Sequence, residues 1–184
     1  MVLDHPMSDA RAPTMTAATI IAIGGAAALL GAWFFQYVIG LAPCPLCLEQ
    51  RIAYYFAIPL AAMIILGVSY GATPRILMVA LLAIAAGMLW NAGLGAYHAG
   101  VEWKWWAGPQ ECSGGPGFNT GGDILDRLNN VRIVRCDEAA WRDPVLGLSL
   151  AGYNVLISLA LAAVALWGAL AKPTLAQGSS SVSQ

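Results

Sequence analysis

An all-α membrane protein, a bundle of four transmembrane helices with one long outer loop, is the fold this 184-residue sequence predicts. Three observations carry that reading. The chain is 59% hydrophobic and only 10% charged, whereas soluble domains carry about 25% charged residues. Its charges are clustered, so that 12–48, 52–74, 76–101 and 145–171 contain no Asp, Glu, Lys or Arg. Each stretch exceeds the roughly 20 apolar residues that cross about 30 Å of hydrocarbon as a helix. A helix is the form in which a single segment satisfies its own backbone in lipid.

The spans are expected at about 15–39, 48–70, 76–98 and 145–171, forming one membrane domain over 15–171. The first apolar run is longer than the 7–15 residues of a signal-peptide core and lacks a basic leader. Residues 1–14 are therefore expected as an N-terminal tail, and 172–184, ending GSSSVSQ, as a disordered one. A net charge of −1 and a pI of about 6.0 give no basic surface for nucleic acid. Gly24, Gly25, Gly87, Gly93 and Gly95 suit close helix approach, and Asn91 and Asn154 suit interhelical hydrogen bonds.

Four spans place both termini on one side and the loops 40–47 and 99–144 on the other. All four cysteines, Cys44, Cys47, Cys112 and Cys136, lie in or beside those two loops. Lys104, Arg127, Arg132, Arg135 and Arg142 in the long loop pull against an outside location under the positive-inside rule. Seven acidic residues in the same loop cancel that surplus, and durable disulfides belong in oxidising compartments. The loops are expected in the periplasm and both termini in the cytoplasm.

Ala42-Pro43-Cys44-Pro45-Leu46-Cys47-Leu48-Glu49-Gln50-Arg51 opens the second span. Pro45 suits a first helical position, which makes Cys44 the N-cap and sets Cys47 in the first turn. Free N–H groups and the helix dipole favour an anion there, and Cys-x-x-Cys thiols in such places are reactive. Arg51 follows Cys47 by four residues and Cys44 by seven, spacings that share a helical face. An arginine at the membrane edge is costly unless it snorkels to the headgroups as an anchor or has a partner; a thiolate and a quinone carbonyl would both serve as partners. A purely structural disulfide over so short a loop would stabilise little. A zinc half-site is the other alternative, weakened by the lack of a second Cys-x-x-Cys.

Cys112 and Cys136 are 24 residues apart, and bridging them would stabilise the loop by roughly 3 kcal/mol, so a structural disulfide is a real alternative for this pair. The Gly- and Pro-rich run 108–117 argues for an exposed Cys112 that a partner reaches, and exposed disulfides are the labile ones. Ile124, Leu125, Leu128 and Val131 pattern a short amphipathic helix, its apolar face laid on the bilayer surface or packed on another loop. Trp103, Trp105, Trp106 and Trp141 read as interfacial anchors. His98 ends the third span on the cysteine side, either as an interfacial hydrogen-bonding residue or as a donor to quinone.

Four spans, Cys-x-x-Cys-x-x-x-Arg at the start of the second, and a spaced cysteine pair in the second outer loop resemble the disulfide-bond formation protein B (DsbB) family of the bacterial inner membrane. The likeness covers roughly 17–171. Four-helix quinone-linked oxidoreductases of the vitamin K epoxide reductase type carry Cys-x-x-Cys late in the bundle, whereas here it comes early. The resemblance implies a quinone-dependent thiol oxidase with redox disulfides Cys44–Cys47 and Cys112–Cys136. It also implies a periplasmic DsbA-like thioredoxin-fold partner that attacks Cys112, and transfer through Cys136 to Cys44. Arg51, and more loosely His98, would contact the quinone, ubiquinone or menaquinone, with no metal. The alternatives are a non-enzymatic membrane protein with two structural disulfides and a four-thiolate metal-binding protein.

Overall fold

The computed structural model describes residues 11–109 and 135–171. They form α1 (Ala12–Trp33), α2 (Pro45–Ser69), α3 (Pro74–Glu102) and α4 (Leu150–Leu170), with a π-helical turn, Phe34–Val38, continuing α1. All four helices are long and apolar enough to cross a membrane, and no strand occurs among the described residues. The tail residues 1–10 and 172–184, Cys112 and the expected surface helix at 124–131 lie outside the described residues.

The helices make a ring in which α1 packs on α2 and α4, and α3 packs on the same two, most extensively on α4. Small residues permit this closeness. A Cβ at Gly168 of α4 would overlap the Ala17 side chain of α1, and one at Gly95 of α3 would lie 3.0 Å from both Asn154 and Val155 of α4. Ile21, Leu81, Ile84 and Met88 fill the centre with no exposed surface. One polar cluster crosses it. Tyr54 donates to Asn154 Oδ1 at 2.7 Å, and Asn91 donates to that oxygen at 3.2 Å and to Ser158 at 2.9 Å. These bonds join α2, α3 and α4 where an unpaired polar group in hydrocarbon would cost several kcal/mol.

Helix ends depart from the expected spans for local reasons. α3 runs past His98 to Glu102 and stops where Lys104 turns left-handed (φ 62°), with Trp105 N–H bonded to Gly100 O at 2.9 Å. α4 starts at Leu150 rather than 145 because Asp143 accepts from the Val145 and Leu146 N–H groups, at 3.2 and 2.6 Å, making a turn first. Ser149 then caps the helix, its Oγ accepting from Gly152 N–H at 3.2 Å. α2 starts at Pro45 with Cys44 as its N-cap, where the proline reading puts it and three residues ahead of the apolar span, since Pro45 supplies a preset first turn.

Candidate active site

Cys44 is the N-cap of α2: its backbone is extended (φ −76°, ψ 165°) and its Sγ accepts from Cys47 N–H at 3.3 Å. The Cys44 thiol points at Cys47 Sγ, 2.8 Å away, and both cysteines are free. A disulfide bond is about 2.05 Å long, so the pair closes with a shift of under about 1 Å. The hydrogen bond to Cys47, then burial, hold the Cys44 thiol well above its ordinary range. They outweigh the N–H contact that alone would favour a thiolate at the helix start.

Because Cys44 is non-helical, the seven-residue spacing does not bring it onto the face of Arg51. Cys47, within the helix, is the residue that shares a wall with Arg51. That wall bounds a cavity of about 600 Å³ between α1, α2 and α4. Its α1 side is a stripe of small residues, Gly24, Ala27, Ala28, Gly31 and Ala32, whose missing bulk creates the space. Arg51 Nη1 donates to Gln36 Oε1 at 2.6 Å. Gln36 comes from the π-helical turn, a distortion frequent at functional sites. Gln50, Tyr54 and Asn154 add the other polar groups of a predominantly apolar lining.

His98 does not line that cavity. It is buried on the other side of the cysteines, with Nε2 3.6 Å from Cys44 Sγ and Nδ1 2.9 Å from the Gln50 amide nitrogen. One helical turn on, Glu102 Oε1 lies 3.8 Å from His98 Nε2. The Glu102 side chain is only 5% exposed and its Oε2 has no hydrogen-bond partner. Cys44, Cys47, His98 and Glu102 together line a second, small cavity of about 40 Å³.

Cys136 is fully buried, packs with Cys44 and Leu46, and is held in a disulfide. Its backbone hydrogen-bonds the His98 side chain. Next to it, Asp137 binds Lys104 at 2.6 Å and Arg135 at 2.8 Å, pinning this part of the loop to the end of α3. Those two cations, Arg135 foremost, hold the Asp137 carboxyl well below the usual carboxylate range. Trp103, Trp105 and Trp106 are exposed at the bundle end, as interfacial anchors would be. Trp141 is placed otherwise: it packs on Phe35 and Tyr153 and borders both cavities.

The structure thus brings Cys44, Cys47, Arg51, His98 and Cys136 to one end of the bundle and adds Gln36, Gln50 and Glu102. Their sequence signals are modest. Gln50 and Glu102 follow Cys47 and His98 by one helical turn, whereas nothing local marks Gln36.

The sequence model of the family described as Disulfide bond formation protein DsbB matches residues 14–168. A protein of Saccharophagus degradans named Disulfide bond formation protein B is 29% identical over 158 residues, covering 84% of this chain and 92% of its own. One of the same name from a Psychrobacter species is 29% identical over 152 residues, covering 77% of this chain and 84% of its own. No solved structure matches the chain. The family match spans nearly the whole membrane bundle, including both cysteines of the first pair and Cys136. With four membrane-spanning helices and that site, the chain belongs to the DsbB family of multi-pass membrane oxidoreductases that form disulfide bonds.

Proposed function

We propose that this protein reoxidises a soluble thioredoxin-fold dithiol partner of the DsbA type and passes the electrons to a membrane quinone. The observation that carries this reading is the position of Cys47: its thiol belongs to the reactive pair, and it lines the large apolar cavity beside Arg51. That cavity falls in the roughly 300–1,000 Å³ range of small-molecule sites, apolar with a few polar groups. Its residues fit a quinone: Arg51, steadied by Gln36, would hold a carbonyl oxygen, and the Gly/Ala stripe of α1 would face the ring and tail. A quinone bound there supplies a sink for two electrons and two protons.

The cysteines carry the rest. The partner thiolate attacks Cys112 of a Cys112–Cys136 disulfide, and Cys136 leaves as a thiolate. Cys136, packed against Cys44, attacks Cys44 of the oxidised first pair, and Cys47 leaves as a thiolate beside Arg51. The partner's second thiol then attacks the partner–Cys112 bond, and the oxidised partner leaves. The freed Cys112 thiolate attacks Cys136, Cys112–Cys136 re-forms, and Cys44 leaves, so that Cys44 and Cys47 are both reduced. Re-closing Cys44–Cys47 then releases two electrons and two protons at the cavity wall. Each 30 mV between pairs corresponds to about 1.4 kcal/mol for two electrons, so modest local effects set the direction. His98 would serve as a quinone contact only if its side chain moved out of its present pocket beside Cys44.

The proposed setting is the bacterial inner membrane, with the cysteine loops periplasmic. A reporter active only in the periplasm should work when inserted near Gly115 and stay silent after Gln184; the reverse pattern contradicts the proposal. The relay itself is tested with Cys136→Ala, whose free Cys112 thiolate should attack the disulfide of the oxidised partner and hold it as a mixed disulfide that Cys136 is no longer present to resolve. Equal adduct formation in a Cys112→Ala protein would overturn the assignment.

A further inference from the structure

We infer that the reduced protein binds a divalent transition-metal ion, Zn²⁺ or its analogue Co²⁺, through Cys44, Cys47, His98 and Glu102, and that this metal locks the first cysteine pair in the dithiol state. The four side chains are placed to do this whatever the electron acceptor is. Cys44 Sγ, Cys47 Sγ and His98 Nε2 all lie within 4.8 Å of one another. Bond lengths to tetrahedral zinc of about 2.3 Å for sulfur and 2.0–2.1 Å for nitrogen and oxygen set the ligand spacing. They require about 3.8 Å between two sulfurs, about 3.6 Å from sulfur to nitrogen and about 3.3 Å from nitrogen to oxygen. The structure has 2.8 Å, 3.6 Å and 3.8 Å for the corresponding pairs. Separating the thiols by about 1 Å brings Cys44, Cys47 and His98 to this spacing, and Glu102, which lies outside their 4.8 Å group, reaches the fourth position by a larger swing of its side chain.

Three further features point to an ion. The four side chains help to line a cavity of about 40 Å³, together with Arg135 and Glu138 at its edge among others, room for an ion or one water. Gln50 donates its amide N–H to His98 Nδ1 at 2.9 Å and holds the ring with Nε2 3.6 Å from Cys44 Sγ; with its amide turned over, Gln50 accepts from Nδ1–H and leaves the Nε2 lone pair to the ion. The Glu102 carboxyl is hydrogen-bonded by Ser149 but its Oε2 is buried without a partner, which leaves one carboxylate oxygen to bind a cation. Binding is redox-neutral: the two thiols give up their protons, and two thiolates and one carboxylate meet a dication. The single negative charge left over faces Arg51, near Cys47, and Arg142, near Glu102. Oxidation to the disulfide removes both thiolate ligands, so metal and disulfide exclude each other. The site differs from a four-thiolate centre because Cys112 and Cys136 take no part.

The test is a Co²⁺ titration of the purified, fully reduced full-length protein, followed by absorbance. Tetrahedral thiolate–cobalt bands should rise to about one equivalent and be displaced by Zn²⁺. They should be absent from protein oxidised at Cys44–Cys47 and persist in a Cys112→Ser/Cys136→Ser protein. Glu102→Gln and His98→Ala should each weaken binding about tenfold or more, and Gln50→Ala should act in the same direction. Glu102→Gln is near-isosteric, so it keeps the test valid if His98→Ala does not fold. Equal binding by the oxidised form, loss of binding in the Cys112→Ser/Cys136→Ser protein, or unchanged affinity in Glu102→Gln would each overturn the assignment.

Discussion

Arg51→Ala is expected to raise the apparent KM for quinone by about one to two orders of magnitude, while exchange between the partner and Cys112–Cys136 stays nearly unchanged. Arg51 lines the same cavity as Cys47 and its guanidinium is held by Gln36 at 2.6 Å. An exposed ion pair contributes under about 1 kcal/mol, but a charge-assisted hydrogen bond in a poorly hydrated site contributes roughly 1.5–3 kcal/mol. At 1.4 kcal/mol per tenfold, that range gives the expected change. Lysine should restore only part of it, because it keeps the charge and loses the planar fork. Gln36→Leu should shift KM in the same direction by less, since it frees the guanidinium without removing it. Both half-reactions are measured in each variant. A defect confined to partner exchange, or no change in quinone dependence, would leave Arg51 as a membrane anchor.

Filling the cavity should have an effect at least as large by a different route. Gly31 lies on its α1 wall, and a Cβ built there meets no atom within 4 Å. Gly31→Phe would put an aromatic ring into the space reserved for the acceptor without colliding at the backbone. Glycine within a helix is less favourable than most residues by a few tenths to about 1 kcal/mol, so the variant should fold at least as well as the parent. Quinone-dependent turnover should fall about tenfold or more with thiol exchange intact and the thermal midpoint unchanged or raised. Full turnover in a well-folded Gly31→Phe protein would mean that the acceptor reaches Cys47 from elsewhere.

These expectations draw on different depths of information. The four spans were readable from the placement of charge alone, because lipid tolerates so few charged side chains that their absence marks each helix. That Cys44, Cys47 and Cys136 share one end of the bundle followed from counting spans. Arg51 was readable because the four-residue step from Cys47 stays within one helix. The seven-residue step from Cys44 misled, since an N-cap residue leaves the helical path and its side chain turns toward His98. Glu102 escaped notice because an apolar run was taken to end at His98, although the helix carries one further turn and buries a carboxylate there. Gln36 was beyond local reading: its approach to Arg51 depends on how α1 packs on α2 and on a π-helical turn that no residue pattern announces. The cavity was likewise invisible, being the space left by glycines and alanines that elsewhere in the bundle serve close packing.

The central claim is that Cys44 and Cys47 deliver electrons to an acceptor in the large cavity, and a single-turnover measurement tests it most directly. A Cys112→Ser/Cys136→Ser protein, reduced and stripped of metal, is mixed with a quinone in the absence of oxygen. Free thiols and quinol are followed together. The account predicts that both thiols disappear as one quinol forms per cysteine pair, and that Gly31→Phe slows this single step. Thiols that persist in the presence of quinone, in protein shown to retain its fold, would contradict it.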